Sequence, residues 1–350
     1  MNPVAPGVVA VAALWAGRAL LALVVILIAW ILLQRGRYYR RHARAERLRA
    51  TWQPLLAEAI EELPAVLPAV HAADAYNFLL LWNYLQESVR DVATERLNEL
   101  ACAIGMGDAS LRLVREGRLQ ERLVALTALG HLREYRAWDD VEQLTLSDDV
   151  VLSLCAAKAL LRIDAGRAAA TLMPLILRRR DWPPALIASM LEEAGPDAVS
   201  VPIATAVSAA PPQHLPHIVR FLELVHTEVA APVVRLLLAT SDDANVLAAC
   251  LRVCTDPDDL DIVRRLLDDP RQPVRLNAAI TLGRLGTDED RAPLTRALGD
   301  PEWWVRYRAA RALASLPTVD AAALSEIAHR HPDRYARDMV TQVIAEEALS

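Results

Sequence analysis

Two stretches near the end of the chain, DPRQPVRLNAAITLGRLG from Asp269 and DPEWWVRYRAARALASLP from Asp300, superimpose at an offset of 31 residues. Val274, Arg275, Ala278, Ala279 and Leu282 of the first stand where Val305, Arg306, Ala309, Ala310 and Leu313 stand in the second. The pattern recurs upstream at one shared offset of 153: Leu152–Asp164 falls on Val305–Pro317, and Arg122–Gly130 falls on Arg275–Gly283. Two separate pairs at one offset, five units of about 31 residues, argue for a true repeat. Weaker copies lie between, at DWPPALIASMLEEAG, PQHLPHIVRFLELV and SDDANVLAACLRVC.

The repeat dictates helices. Val305, Ala309 and Leu313 recur at i, i+4 and i+8, one stripe of a helix, with alanine at the middle to let a neighbour approach. A second helix-length segment follows each copy, DRAPLTRALG after the first and DAAALSEIAHR after the second. One such pair cannot bury its own faces, so stability requires stacking many. The chain is 54% hydrophobic with few aromatics, and alternating strand patterns are missing. These features predict an all-α superhelical solenoid, about eight helix pairs over 90–350, preceded by a divergent helical section over 50–89.

The other end reads as an anchor. Gly7–Leu33 holds 27 residues interrupted only by Arg18, long enough to cross a hydrocarbon core of ~30 Å. Trp15 and Trp30 are 15 residues apart, ~22 Å along a helix, and suit the two interfaces. Arg18 would snorkel outward along its alkyl stem, with pairing to a partner's membrane helix as the alternative. Seven arginines follow, Arg35, Arg37, Arg40, Arg41, Arg44, Arg47 and Arg49, and no charged side chain precedes Arg18. The positive-inside rule then sets the C-terminal side in the cytoplasm. A cleaved leader would need a basic start and a small-residue cleavage site, and neither is present. The expected division is a short extracytoplasmic 1–6, a transmembrane helix over 7–34 and an Arg-rich juxtamembrane segment over 35–49. Arg35, Arg37, Arg40 and Arg41 are candidates for binding lipid head groups, beside the simpler role of setting topology.

Charge narrows the partners. Of 38 basic and 44 acidic side chains, eight basic and one acidic fall in 1–50, which leaves 51–350 with a net charge of −13. An acidic body repels polyphosphate, so no nucleic-acid partner is expected, although arginine-rich patches can act locally. Cys102, Cys155, Cys250 and Cys254 form no CxxC pair, and read as free thiols in a reducing compartment.

The Asp-Pro-x-x-x-Val-Arg-x-x-Ala-Ala-x-x-Leu-Gly pattern resembles the short HEAT-like repeat of the phycobilisome-lyase type. In that family the Asp and Arg bond across successive repeats as a ladder, which implies structural roles for Asp269, Arg275, Asp300 and Arg306. The whole chain is also similar to membrane-anchored bacterial HEAT-repeat proteins. LWNYLQES at 81–88, ERLVALTALGHLRE at 121–134, RRDWPP at 179–184, WWVRYRAARALASLP and DRYARDM at 333–339 carry that likeness. The resemblance implies proximity to a membrane glycosyltransferase of polysaccharide synthesis, an inner-membrane location, and no catalytic residue.

No motif for chemistry stands out. None of the eight histidines is followed by Glu, as an iron hydroxylase of this repeat class would require. His214 and His217 are i,i+3, yet lack an acidic ligand at the right spacing. His329, His331 and Asp333 read as a solvated loop. Arg178, Arg179 and Arg180 suit a helix C-terminus, with Asp181 capping the next helix. Trp82, Trp138 and Trp182 read as packing between layers.

Trp303, Trp304, Tyr307 and Arg308 are not required by the repeat. Packing of at least one indole between repeats is expected, with an exposed docking site as the alternative. Trp, Tyr and Arg dominate interface hot spots, so these four are the candidate partner-binding residues. The expected function is a non-enzymatic, membrane-anchored cytoplasmic adaptor without cofactor or metal. Its partner is expected to be a protein, with a membrane glycosyltransferase first in line. The alternative is a HEAT-like lyase or hydroxylase that holds a chromophore or metal.

Overall fold

The computed structural model describes residues 6–90 and 92–347; within 6–41 it describes side chains only for 15, 23, 27, 28, 30–35 and 39. Among the described residues every regular element is a helix. Two compact units, divided at Val141 and Glu142, make up the chain.

The first unit contains α1 (Pro6–Glu61), α2 (Ala75–Ser88), α3 (Val92–Ala103), α4 (Met106–Glu116) and α5 (Leu119–His131), and ends within α6 (Trp138–Thr145). One core joins Trp52, Leu56 and Ala59 of α1 to Phe78, Leu79, Trp82, Leu97, Leu100, Met106 and Ala128. Trp52 meets Phe78 edge to face at 4.9 Å. The buried Trp82 indole donates to the Leu97 carbonyl at 2.9 Å, which supplies the partner a buried N–H needs. Residues 52–128 share this core, which therefore spans both the divergent section expected over 50–89 and the first part of the expected repeat array. The helix α1 runs through the expected anchor and juxtamembrane segments into that core.

Among the described residues no helix is long and apolar enough to cross a membrane. The side chain of Arg18 and most others of the expected span lie outside the described residues.

The second unit continues with α7 (Val150–Ile163), α8 (Ala165–Arg178), α9 (Pro184–Ala194), α10 (Pro196–Ala209) and α11 (Leu215–Ile218), which runs into a 3-10 segment, Val219–Leu224. Then follow α12 (Thr227–Thr240), α13 (Ala244–Val253), α14 (Leu260–Leu266), α15 (Gln272–Leu285), α16 (Arg291–Ala297), α17 (Trp303–Ser315), α18 (Ala321–Arg330) and α19 (Arg334–Glu347). Contacts order these into two rows. α7, α9, the α11 segment, α13, α15, α17 and α19 touch in succession, and α8, α10 and α12 do the same beside them.

Local sequence explains the starts. Asp149, Asp164, Asp243 and Asp320 each accept a backbone N–H from the first turn of the helix they precede. Pro184 and Pro196 open α9 and α10, where a missing N–H costs nothing.

The repeat stripe is the core. Val274, Ala278, Ala279 and Leu282 of α15 and Val305, Ala309, Ala310 and Leu313 of α17 are all fully buried. Small residues set the spacing: a Cβ added to Gly283 would lie 2.9 Å from Cα of Ala312.

Candidate protein-docking site

A polar ladder fixes the start of α17. Arg275 of α15 donates from Nε and Nη2 to the two carboxylate oxygens of Asp300, at 2.7 and 3.0 Å. Its Nη1 donates to the carbonyls of Asp269 and Pro270 at 2.9 and 3.0 Å. Arg306 repeats the carbonyl half, reaching Asp300 and Pro301 at 2.8 and 3.0 Å, and Arg337 does so at His331 and Pro332. Asp300 holds the Arg275 guanidinium above its ordinary proton affinity. Asp269 has no arginine in the preceding repeat, because Ala244 occupies that place. It pairs instead with Arg271, two residues on, whose guanidinium holds the Asp269 carboxyl below its usual range.

A second ladder, with no counterpart in the sequence expectations, joins α12 to the turn before α14, and α14 to the turn before α16. Arg235 of α12 bonds buried Asp259 at 2.5 Å, and Arg264 of α14 bonds buried Asp290 at 2.7 Å. The 31-residue spacing of the two aspartates was the available signal.

On this braced scaffold the aromatic group lies outward. Trp303 and Trp304 are 41% and 56% exposed, so the expected burial of one ring between repeats does not occur. The rings pack on each other. Trp303 stacks on Tyr307 at 5.3 Å with an 8° interplanar angle, as positions i and i+4 on a helix allow. Trp304 meets Trp303 edge to face at 4.6 Å. The Arg308 guanidinium sits 5.8 Å from the Tyr307 ring centre and makes no ion pair among the described residues. Tyr307 is anchored from behind: its hydroxyl donates to Glu346 of α19 at 2.9 Å. Gln342 and then Tyr307 hold the Glu346 carboxyl below its ordinary range. The result is a pinned aromatic face of Trp303, Trp304 and Tyr307 with a free cation at its edge.

Other expected residues are placed as follows. Arg35 is exposed and donates to the Tyr39 hydroxyl at 3.2 Å; the side chains of Arg37, Arg40 and Arg41 lie outside the described residues. Trp82, Trp138 and Trp182 are buried. Cys250 and Cys254 are buried and free, Cys155 is half-buried, and Cys102 is exposed. Burial pushes the Cys250 thiol up to about 12. Among the described residues no group of three potential metal ligands comes together.

A family model described as HEAT repeats matches residues 260–345, from α14 into α19. No curated protein matches the chain. Among solved structures the chain is similar to an engineered protein of known crystal structure, at 16% identity and a TM-score of 0.36, covering 84% of this chain and 89% of that one. Residues 260–345, which carry both the Arg275–Asp300 rung and the aromatic face, are thus HEAT-like repeats.

Proposed function

We propose that this chain is a scaffold that binds another protein through the aromatic face of α17, and that its N-terminal helix holds it at a membrane. HEAT repeats in general mediate protein–protein interaction, and the exposed Trp303–Trp304–Tyr307 cluster beside Arg308 carries the more specific reading. Large rings left in water are unfavourable, and pinning Tyr307 in advance lowers the ordering cost when a partner covers them. The mechanism is positional: the anchor concentrates the repeat unit near membrane-bound partners, and the arginines after it face the cytoplasm. A membrane glycosyltransferase of polysaccharide synthesis is the first partner class to test, on the strength of the sequence resemblance. No catalytic step is assigned to the chain.

The test places a photo-crosslinking amino acid at position 308 of the full chain in native membranes. One dominant protein partner is expected. Trp303→Ala with Trp304→Ala should weaken its capture about tenfold to a hundredfold, as loss of two hot-spot rings implies, without lowering the melting temperature. Recovery of no partner, or full capture by the double variant, would overturn the docking reading. Stoichiometric metal or tetrapyrrole on the purified chain would favour the lyase or hydroxylase alternative instead. A C-terminal reporter active only outside the cytoplasm would refute the topology.

A further inference from the structure

A second surface, separate from the aromatic face, gathers basic groups that are distant in sequence. His214, His217 and Arg220 recur every three residues across α11 and the 3-10 segment after it. The backbone there is bonded three residues apart, His214 N–H to the Pro211 carbonyl at 2.9 Å and His217 N–H to the His214 carbonyl at 3.1 Å. Within α11 the bonding lengthens to four residues, Val219 N–H to the Leu215 carbonyl, and side chains three apart are neighbours on one helical face. Arg180, from the loop after α8, adds a fourth group: its Nη2 lies 3.3 Å from His214 Nδ1. A guanidinium only donates, so in this contact Arg180 is the donor. Arg180, His217 and Arg220 are exposed, and His214 is partly covered.

Two nearby acids are held by other arginines, and a third caps a helix. Asp181 is held by Arg179 at 2.7 Å, and Glu223 of the 3-10 segment is held by Arg252 of α13 at 2.9 Å. Asp243, at the start of α13, accepts the amides of Asn245 and Val246. Among the described residues none of these four groups has an ion pair with an acid. Burial first, then Arg180, Arg220 and His214, lower the proton affinity of His217, so the arginines act on it from both sides. This concentration of unneutralised cations lies in a region whose net charge is −13, where chance would supply acids.

We propose that Arg180, His214, His217 and Arg220 form a binding site for a phosphoryl group, from either free phosphate or the head group of an anionic phospholipid. Four donors from two elements suit a tetrahedral anion with several oxygens better than a planar carboxylate, which one guanidinium can satisfy. The two arginines match a dianion, and His217 takes up a proton as the anion arrives.

The test uses the full chain in a neutral detergent with isotope-labelled histidine, followed by NMR at neutral pH. Inorganic phosphate should shift the His214 and His217 ring signals saturably, and should raise the His217 titration midpoint by about one unit as an adjacent anion does. Chloride at equal ionic strength should do neither. Arg180→Ala with Arg220→Ala should weaken binding at least ~tenfold while leaving the melting temperature unchanged, since both side chains are exposed. A parallel arm compares phosphatidylcholine vesicles with and without phosphatidylglycerol. A response to free phosphate supports a soluble ligand, and a response to phosphatidylglycerol alone supports a head group. No saturable shift in either arm, an equal shift in chloride, or an undiminished response in the double variant overturns the proposal. None of these outcomes depends on capture of a protein at α17.

Discussion

Arg275 and Arg306 occupy equivalent rungs of one ladder, yet only Arg275 faces a carboxylate. The residue 31 positions after Asp300 is His331, and the Nε of Arg306 is buried without a hydrogen-bond partner. His331 reproduces half of the aspartate's role. Its Nδ1 accepts the Asp333 N–H at 3.2 Å, just as Asp300 accepts the Glu302 N–H at 2.9 Å, but it offers nothing to the guanidinium. His331→Asp should complete the rung and stabilise the repeat unit by about 1 kcal/mol, a rise of roughly 2–4 °C in melting temperature. An unchanged or lower melting temperature would refute this account of Arg306. Asp300→Ala should act in the opposite sense and cost about 3 kcal/mol, because it strands a mostly buried arginine. Asp269 permits a test by pH. Its carboxyl is depressed in the folded state, so its contribution is present above the unfolded value of about 3.9 and is lost as pH falls through the folded one. The stability gap between the native chain and Asp269→Asn should therefore be full at neutral pH and close below about pH 4. A gap that persists in acid would mean that Arg271 is not its origin. The register of His331 was legible in sequence, since HPDRYAR at 331–337 matches DPEWWVR at 300–306 in its proline and arginine. The stretch read as a solvated loop is instead the start of the last copy, with histidine in place of the aspartate.

Helix packing shows the same mixture of the legible and the hidden. The 31-residue offset identified α15 and α17 and their buried stripe correctly, because a repeated apolar face has one way to be covered. It did not reveal the Arg235–Asp259 and Arg264–Asp290 rungs, whose partners lie on short helices with little periodicity of their own. Nor could it orient the tryptophans. Helical spacing places Trp303 above Tyr307, but what holds Tyr307 is Glu346, 39 residues away on α19. Close approach is the determinant that substitution at Gly283 tests. In an exposed helix Gly→Ala would gain about 1 kcal/mol from propensity. Here the new methyl meets the backbone Cα of Ala312 at 2.9 Å, which no rotamer change can relieve. Gly283→Ala should thus be net destabilising by about 1–3 kcal/mol in denaturant unfolding, through strain between α15 and α17. A stabilised variant would show that the two helices can separate at little cost.

Two compact units lead to a prediction for the molecule as a whole. The core around Trp52, Phe78 and Trp82 belongs to the first unit, whereas the stacked rows of the second are buried against their own neighbours. Each repeat draws its stability from the next, so cooperative coupling runs along the rows of the second unit. A fragment spanning 138–350, which keeps α6 whole, should therefore fold alone and retain the helical signal of its residues. Shortening it to 138–330 is a different operation. That cut removes α19, whose Ala336, Met339, Val340 and Val343 are buried, and it uncovers α17. Burial of a large aliphatic side chain contributes about 1.5–3 kcal/mol, so loss of this layer should lower the melting temperature by roughly 5 °C or more. It also frees the Tyr307 hydroxyl from Glu346, so partner capture should fall although Trp303 and Trp304 remain. Equal melting of the two fragments would mean that the last repeat is not coupled to α17. Undiminished capture by the shorter fragment, assayed below its melting temperature, would mean that the aromatic face does not need the brace that α19 provides.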